Sequence, residues 1–320
     1  MHPEENTTLA DEIAADITAP SGITRRSFMK FCTAVAVTIG LGVDGAVSVA
    51  KALTGSRPPV IWLNFSECTG CSESFLRMTS PYPEDLMFNT ISLDYQETIM
   101  AAAGLAATGH RDSVVEANAG EFFAIVEGSI PTAAGGVYGT IGGKTMLSEA
   151  QRILPKAKAV IAYGTCAAFG GLAAAAPNPT GAKGVSDAVS LGSVPVINIP
   201  GCAPNPYNLA GVIANYLLKG TLPALDSKKR PTFAYGRRVH ECQKPHGCLR
   251  DYGCKGPQAY HNCKSVKYNE GTSWDIQACA NCIGCSEPNF WDTFKPFYTK
   301  SFVTNFAGKY GSIKYIPGDD

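Results

Sequence analysis

The chain has 320 residues, 27 basic against 27 acidic side chains, and a hydrophobic fraction of 45%. That length accommodates two domains with an ordinary core, and zero net charge offers no basic face, which argues against nucleic acid as a partner. Twelve cysteines, 33 glycines and 21 prolines point instead to tight turns and loops around bound groups.

The first element in chain order is an export signal. Thr24-Arg25-Arg26-Ser27-Phe28-Met29-Lys30 resembles the twin-arginine motif, and an apolar, glycine-containing segment follows from Phe31 to about Ala50. This segment approaches the roughly 20 residues that span a membrane. Asp44 and several glycines interrupt it, however, and Ala50-Lys51-Ala52 offers a small-residue cleavage site. Residues 1–52 are therefore expected to be a cleaved twin-arginine signal peptide, which removes Cys32 from any ligand set. This route carries folded proteins, so it suits a chain loaded with clusters in the cytoplasm and working in the periplasm. A periplasmic address ordinarily favours disulfides, but the cysteine spacings here favour metal.

From Pro58 the sequence alternates strands and helices. Val60–Phe65 is a short apolar run typical of a buried strand, and further strand candidates are Thr90–Tyr95, Phe122–Glu127, Ala159–Tyr163 and Val194–Ile199. A helix can start in Ser72–Met78. Ala-rich or helix-periodic segments (Thr98–Ala107, Thr145–Leu154, Leu209–Leu218) separate the later strands. Such alternation predicts an α/β fold with a mostly parallel, doubly wound sheet over residues 58–225.

Three of these strands run into cysteine: the first into Cys68 and Cys71, the Ala159 strand into Cys166, and the Val194 strand into Cys202. Ligands of open α/β sheets bind beyond the carboxyl ends of the strands, so four thiolates from three strand ends are expected to meet in one place. Beyond Leu222-Pro223 the pattern changes. Residues 231–298 are rich in Gly, Pro, Asn and Cys, and carry Cys242, Cys248, Cys254, Cys263 and the C-x-x-C-x-x-C of Cys279, Cys282 and Cys285. A segment so poor in periodic structure is organised around metal, and residues 299–320 form a tail. Thiolates two residues apart converge on one metal or cluster but rarely reach relaxed disulfide geometry. The odd number of cysteines after the signal also fits a closed disulfide framework badly.

Taken together, Glu67-Cys68-Thr69-Gly70-Cys71-Ser72-Glu73, Gly164–Gly171, Ile199-Pro200-Gly201-Cys202, Gly253-Cys254-Lys255-Gly256-Pro257 and Cys282–Asp292 resemble the small subunit of nickel–iron hydrogenases, in the family's order over roughly residues 58–298. The resemblance implies a flavodoxin-like domain followed by a small irregular iron–sulfur domain. It also implies a heterodimer with a large subunit that holds the nickel–iron centre, and a periplasmic cytochrome or membrane-linked electron acceptor. By motif match, Cys68, Cys71, Cys166 and Cys202 bind a proximal [4Fe–4S] cluster. His240, Cys242, Cys248 and Cys254 bind a distal [4Fe–4S] cluster, and Cys263, Cys282 and Cys285 bind the medial one.

Two departures from the family pattern matter. The distal motif is shortened to His240-Glu241-Cys242, with five residues between Cys242 and Cys248, which makes His246 a rival nitrogen ligand. Where most relatives have Pro after the medial Trp and a [3Fe–4S] cluster, this chain has Trp274-Asp275 and adds Cys279. A fourth thiolate from Cys279 favours [4Fe–4S], with Asp275 the weaker, oxygen-donor candidate. Oxygen-tolerant relatives carry two extra cysteines at positions matching Gly70 and Gly171, so the resemblance implies a standard proximal cluster.

Other features carry less. Gly135–Thr145 ends in Gly143-Lys144-Thr145 but has Tyr138 where a phosphate loop requires its first glycine, and reads as a glycine-rich turn. His110 and His261 read as surface or satisfied histidines. Glu67 and Glu73 flank the first C-x-x-C, either facing the partner or simply starting a helix. A stand-alone periplasmic iron–sulfur carrier and a zinc-stabilised binding protein are the alternative functions, and neither accounts for the full motif order.

Overall fold

The computed structural model describes residues 25–42, 45–53, 57–79, 82–83, 86–240, 248–269 and 271–294. In chain order the main elements are α1 (Arg25–Thr38), α2 (Ala46–Leu53), β1 (Pro59–Asn64), α3 (Gly70–Leu76), β2 (Ser92–Gln96), α4 (Gly104–Ala117) and β3 (Phe123–Glu127). There follow α5 (Met146–Ile153), β4 (Ala159–Tyr163), α6 (Thr165–Phe169), β5 (Val196–Ile199) and α7 (Pro206–Lys219).

The five strands form one parallel sheet in the order β2-β1-β3-β4-β5. This is the flavodoxin-like, doubly wound order, with its reversal between β1 and β3. Both faces of the sheet are covered, which is why its central strands are continuous apolar runs. Val60, Trp62, Phe123, Ile125, Ile161 and Ile197 join Phe75 of α3 and Leu209 of α7 in one core. Their alternates Ile61, Leu63, Ala124, Val126 and Val160 pack with Ala107 of α4 and Ile153 of α5 in the other. The period of two along a strand produces that division. Helix α7 is framed by its sequence: the Asn205 side chain accepts from Tyr207 N at 3.0 Å, Pro206 opens the first turn, and Gly220 closes it at φ +66°.

The expected strands all form, but one helix moves. The segment expected to be helical over Thr98–Ala107 is helical over Gly104–Ala117 instead. Its buried stripe is Ala107, Arg111 and Val115, so a charged residue occupies the core face and hides the apolar period. Arg111 is buried only because Glu149 of α5 receives it. The Gly135–Thr145 segment is indeed a turn, with the pair Thr140–Ile141 and Lys144–Thr145 closed by Gly142 and Gly143, both at positive φ.

In the expected signal region, α1 and α2 lie against α7, burying Phe28, Cys32, Val35, Val49 and Ala50. Residues 1–24 and the expected tail 299–320 lie outside the described residues. Among the described residues no helix is long and apolar enough to cross a membrane.

After Pro231 only short helices, turns and isolated bridges such as Arg238–Tyr260 occur among the described residues. A small core of Val239, Cys254, Ala259, Trp274, Ile276 and Cys282 holds this region together. Polar groups dock it on the sheet. Buried Arg230 donates to Ser286 O at 3.1 Å and Glu287 at 2.9 Å, while Glu287 also accepts from Tyr260 N at 2.7 Å. Asn208 and Asn262 exchange amide hydrogen bonds at 3.1 and 2.8 Å.

Candidate metal centre

The carboxyl ends of β1, β4 and β5 bring four thiols together. After β1 the chain reaches Cys68, then turns through Thr69 in the left-handed region (φ 63°) into α3, which carries Cys71. After β4, Gly164 at φ +101° swings the chain into α6 with Cys166, and a Cβ at Gly164 would sit 2.4 Å from Cys71 Sγ. Only glycine fits so close to that sulfur in that backbone conformation. Gly171 lies equally tight against Cys166, where a Cβ would be 2.3 Å from Sγ. Cys202 follows β5, and Thr165 joins the two loops: its Oγ1 accepts from Gly201 N at 2.9 Å and donates to Cys285 O.

Burial and mutual repulsion act on these thiols together. Burial pushes Cys71 well up, and Glu127, Cys166, Cys202 and Cys68 add to it. Burial, then Cys202 and Cys68, push Cys166 up to about 11. Cys202 is raised by burial and by Cys68. A group of thiols so unwilling to ionise alone is suited to a cation that draws off their protons.

The residue that organises this loop is one that sequence reasoning missed. Glu127, the last residue of β3, is fully buried. Its Oε1 accepts from Cys71 N and Ser72 N, both at 3.1 Å. Its Oε2 accepts from Trp62 Nε1 at 3.2 Å, Asn64 Nδ2 at 3.1 Å and Ser72 Oγ at 2.5 Å. A carboxylate ending an otherwise apolar strand was the available signal. Of the glutamates that flank the motif, Glu73 is exposed and paired with Arg77 at 2.8 Å. Glu67 is half-buried, and burial with nearby Glu127 raises its carboxyl.

A second set lies in the irregular region. Burial pushes Cys282 well up, followed by Cys285, Cys254 and Cys263. Cys285 is pushed up to about 12 by burial, partly offset by the Cys202 backbone N–H. Cys202, Cys285, Asp275 and Tyr268 line one cavity of about 350 Å3. Asp275 is raised by burial, and its charge in turn raises Cys254, Cys263 and Cys285. Cys279 is exposed, with a left-handed backbone at φ 60°.

Toward the remaining set, Lys255 N donates to Cys282 O at 2.6 Å, immediately after buried Cys254. Cys248 adds to the rise of the Cys254 thiol, which is led by burial. Gly256 is wedged between them and the histidine: a Cβ there would be 3.4 Å from His240 Cα and 3.5 Å from Cys254 Sγ. Cys242, and His246, the rival of His240 as nitrogen ligand, lie outside the described residues. His110 is exposed, as expected, but His261 is not at the surface: its ring is 3% exposed and lies beside Cys263. Among the described residues no three His, Cys, Asp or Glu groups converge tightly enough for one metal ion. An iron–sulfur cluster does not require it, because each thiolate binds a different iron.

Comparison with known proteins decides what carries this donor set. The family described as NADH ubiquinone oxidoreductase, 20 Kd subunit, matches residues 68–216, and the family of the C-terminal part of NiFe/NiFeSe hydrogenase small subunits matches residues 226–298. The chain is 50% identical to the periplasmic [NiFe] hydrogenase small subunit 1 of Nitratidesulfovibrio vulgaris, over 91% of this chain and 98% of that one. It belongs to the nickel–iron hydrogenase small-subunit family.

Within that family it is also 42% identical to the quinone-reactive Ni/Fe-hydrogenase small chain of Wolinella succinogenes, over 90% of this chain and 88% of that one. Its fold matches the reduced, active Ni-Fe-Se hydrogenase of Desulfomicrobium baculatum with a TM-score of 0.72 at 35% identity, covering 77% of this chain and all of that chain. The chain is thus part of an oxidoreductase, with the α/β architecture expected from its strand pattern. Family membership implies iron–sulfur clusters, and the donors fit them: mutually repelling thiols, buried at Cys254 and Cys282, at loops where glycine leaves room beside sulfur.

Proposed function

We propose that this chain is the electron-transfer subunit of a periplasmic hydrogenase, relaying electrons between the nickel–iron centre of a large subunit and an external acceptor through three iron–sulfur clusters. Cys68, Cys71, Cys166 and Cys202 hold the proximal [4Fe–4S] cluster. Cys263, Cys282 and Cys285 hold the medial cluster, with Cys279 supplying the fourth thiolate. His240, Cys242, Cys248 and Cys254 hold the distal [4Fe–4S] cluster. The acceptor is a periplasmic cytochrome or a membrane-linked carrier, and the precursor is exported folded by the twin-arginine route.

The observation that carries this reading is the serial linkage of the three donor sets. Thr165, beside Cys166, accepts from Gly201 N, beside Cys202, and donates to Cys285 O, while Cys282 O accepts from Lys255 N, the residue after Cys254. When bound, the clusters supply one-electron redox chemistry. The residues around them set the rest: burial of Cys282 excludes water there, and the Gly284 N–H aimed at its sulfur at 3.4 Å stabilises the reduced state. Exposed His240 ends the series where an acceptor can approach, and a neutral imidazole there leaves the outermost site less anionic than a thiolate would. Gly70 and Gly171, each against a ligand sulfur, support a compact standard proximal cluster with ordinary oxygen sensitivity.

Cys166→Ala tests the proximal assignment. It is expected to abolish hydrogen-dependent dye reduction by the heterodimer, and wild-type activity in that variant rejects the assignment. Co-purification of a nickel-containing large chain separates this function from a stand-alone carrier.

A further inference from the structure

His261 stands outside every ligand set, yet it is built into the medial one. Its Nδ1 lies 2.9 Å from Cys263 Sγ. Its ring is 3% exposed and packs edge-on against Tyr235, with centroids 5.0 Å apart and planes at 86°. The backbone is held too, because His261 N donates to Arg237 O at 3.0 Å. Nε2 is buried with no hydrogen-bond partner among the described residues. The ring is therefore oriented by packing on one side and by a single polar contact, to sulfur, on the other.

A thiolate bound to iron carries no proton. In the loaded protein the hydrogen of the Nδ1–Sγ contact must then come from the imidazole, since otherwise two lone pairs would face each other at 2.9 Å. The contact also explains why an unpartnered nitrogen is tolerated at Nε2: donation from Nδ1 leaves Nε2 as a bare acceptor rather than a stranded N–H.

We propose that His261 is a positioning residue that donates an Nδ1–H hydrogen bond to the Cys263 thiolate and thereby raises the reduction potential of the medial cluster. Hydrogen bonds to ligand sulfur withdraw charge and favour the reduced cluster. Cys282, by contrast, accepts from the backbone, from Gly284 N at 3.4 Å. A side-chain donor at Cys263 lets the medial potential be set separately from its neighbours. The inference rests on Cys263 being a medial-cluster ligand, as proposed above.

The test uses the complete heterodimer. His261→Phe keeps the ring against Tyr235 and removes the donor, and His261→Asn keeps an N–H near the sulfur. Redox titration followed by electron paramagnetic resonance is expected to show the medial potential falling in the Phe variant and recovering part of the way in the Asn variant. Proximal and distal potentials and iron content should stay unchanged. An exchangeable-proton hyperfine coupling on the medial cluster is expected in the wild type and absent in the Phe variant. An unchanged medial potential in His261→Phe with full iron content overturns the proposal. So does loss of the medial cluster in both variants, which would make His261 a ligand or a purely structural residue. Cys263→Ala distinguishes the two possible failures: if it retains the medial signal, the ligand reading itself has failed.

Discussion

Replacing Glu127 by glutamine tests what holds the first cysteine loop. The partners of this buried carboxylate are all donors: two backbone N–H groups at Oε1, and Trp62, Asn64 and Ser72 at Oε2. Glutamine fits the volume but must place an NH2 group where one oxygen stood. In one orientation it strands Cys71 N and Ser72 N. In the other it strands Trp62 Nε1 and Asn64 Nδ2. Either way at least two buried donors lose their acceptor, at about 1–3 kcal/mol each, or about 2–6 kcal/mol together. For a chain of this size that corresponds to a fall in Tm of roughly 5–20 °C. Thermal bleaching of the iron–sulfur absorption, with near-ultraviolet circular dichroism, measures it on the purified heterodimer. A Glu127→Gln variant that melts within about 2 °C of wild type with full iron would refute the claim that this carboxylate anchors the loop.

Further outcomes follow from neighbouring features. Gly164→Ala places a Cβ on Cys71 Sγ in a left-handed backbone, so it should strain the loop by about 1–3 kcal/mol and remove one cluster's share of iron, read by metal analysis. Burial raises Asp112 and Glu149, but hydrogen bonds and charge from Arg152 and Arg111 outweigh it and hold both below their ordinary values of 3.8 and 4.5. Their contribution is therefore complete above pH 4.5 and is lost as pH falls through the lower folded-state values; urea midpoints should drop there, and Glu149→Gln should flatten that drop. At the medial site, a fourth ligand leaves the oxidised wild type without a strong [3Fe–4S] resonance. Cys279→Ser should produce that signal if Cys279 is the ligand, and Asp275→Asn should produce it instead if the carboxylate is.

Much of the architecture was legible because the strands are short, apolar and end in distinctive residues. Val60–Phe65, Phe122–Glu127 and Ala159–Tyr163 could be read directly, and the meeting of the cysteines that follow the first, the Ala159 and the Val194 strands follows from where open sheets bind ligands. Helix α4 was misplaced because Arg111 sits on its core face, and a partner 38 positions away makes that possible. Glu127 and His261 escaped for the same reason. Each is a polar residue whose burial depends on groups brought from elsewhere: Glu127 on donors from β1 and α3, His261 on Tyr235 and Cys263. Such residues have no periodic signature, and only tertiary packing reveals them.

The central claim is that three cluster sites stand in series in this chain. Iron and acid-labile sulfide analysis of the protein co-purified with its large subunit, combined with electron paramagnetic resonance during redox titration, tests it most directly. Three sites in series predict iron and sulfide for three clusters per chain and three separable, mutually interacting redox centres. Iron for only one or two clusters, or zinc in their place, would contradict it.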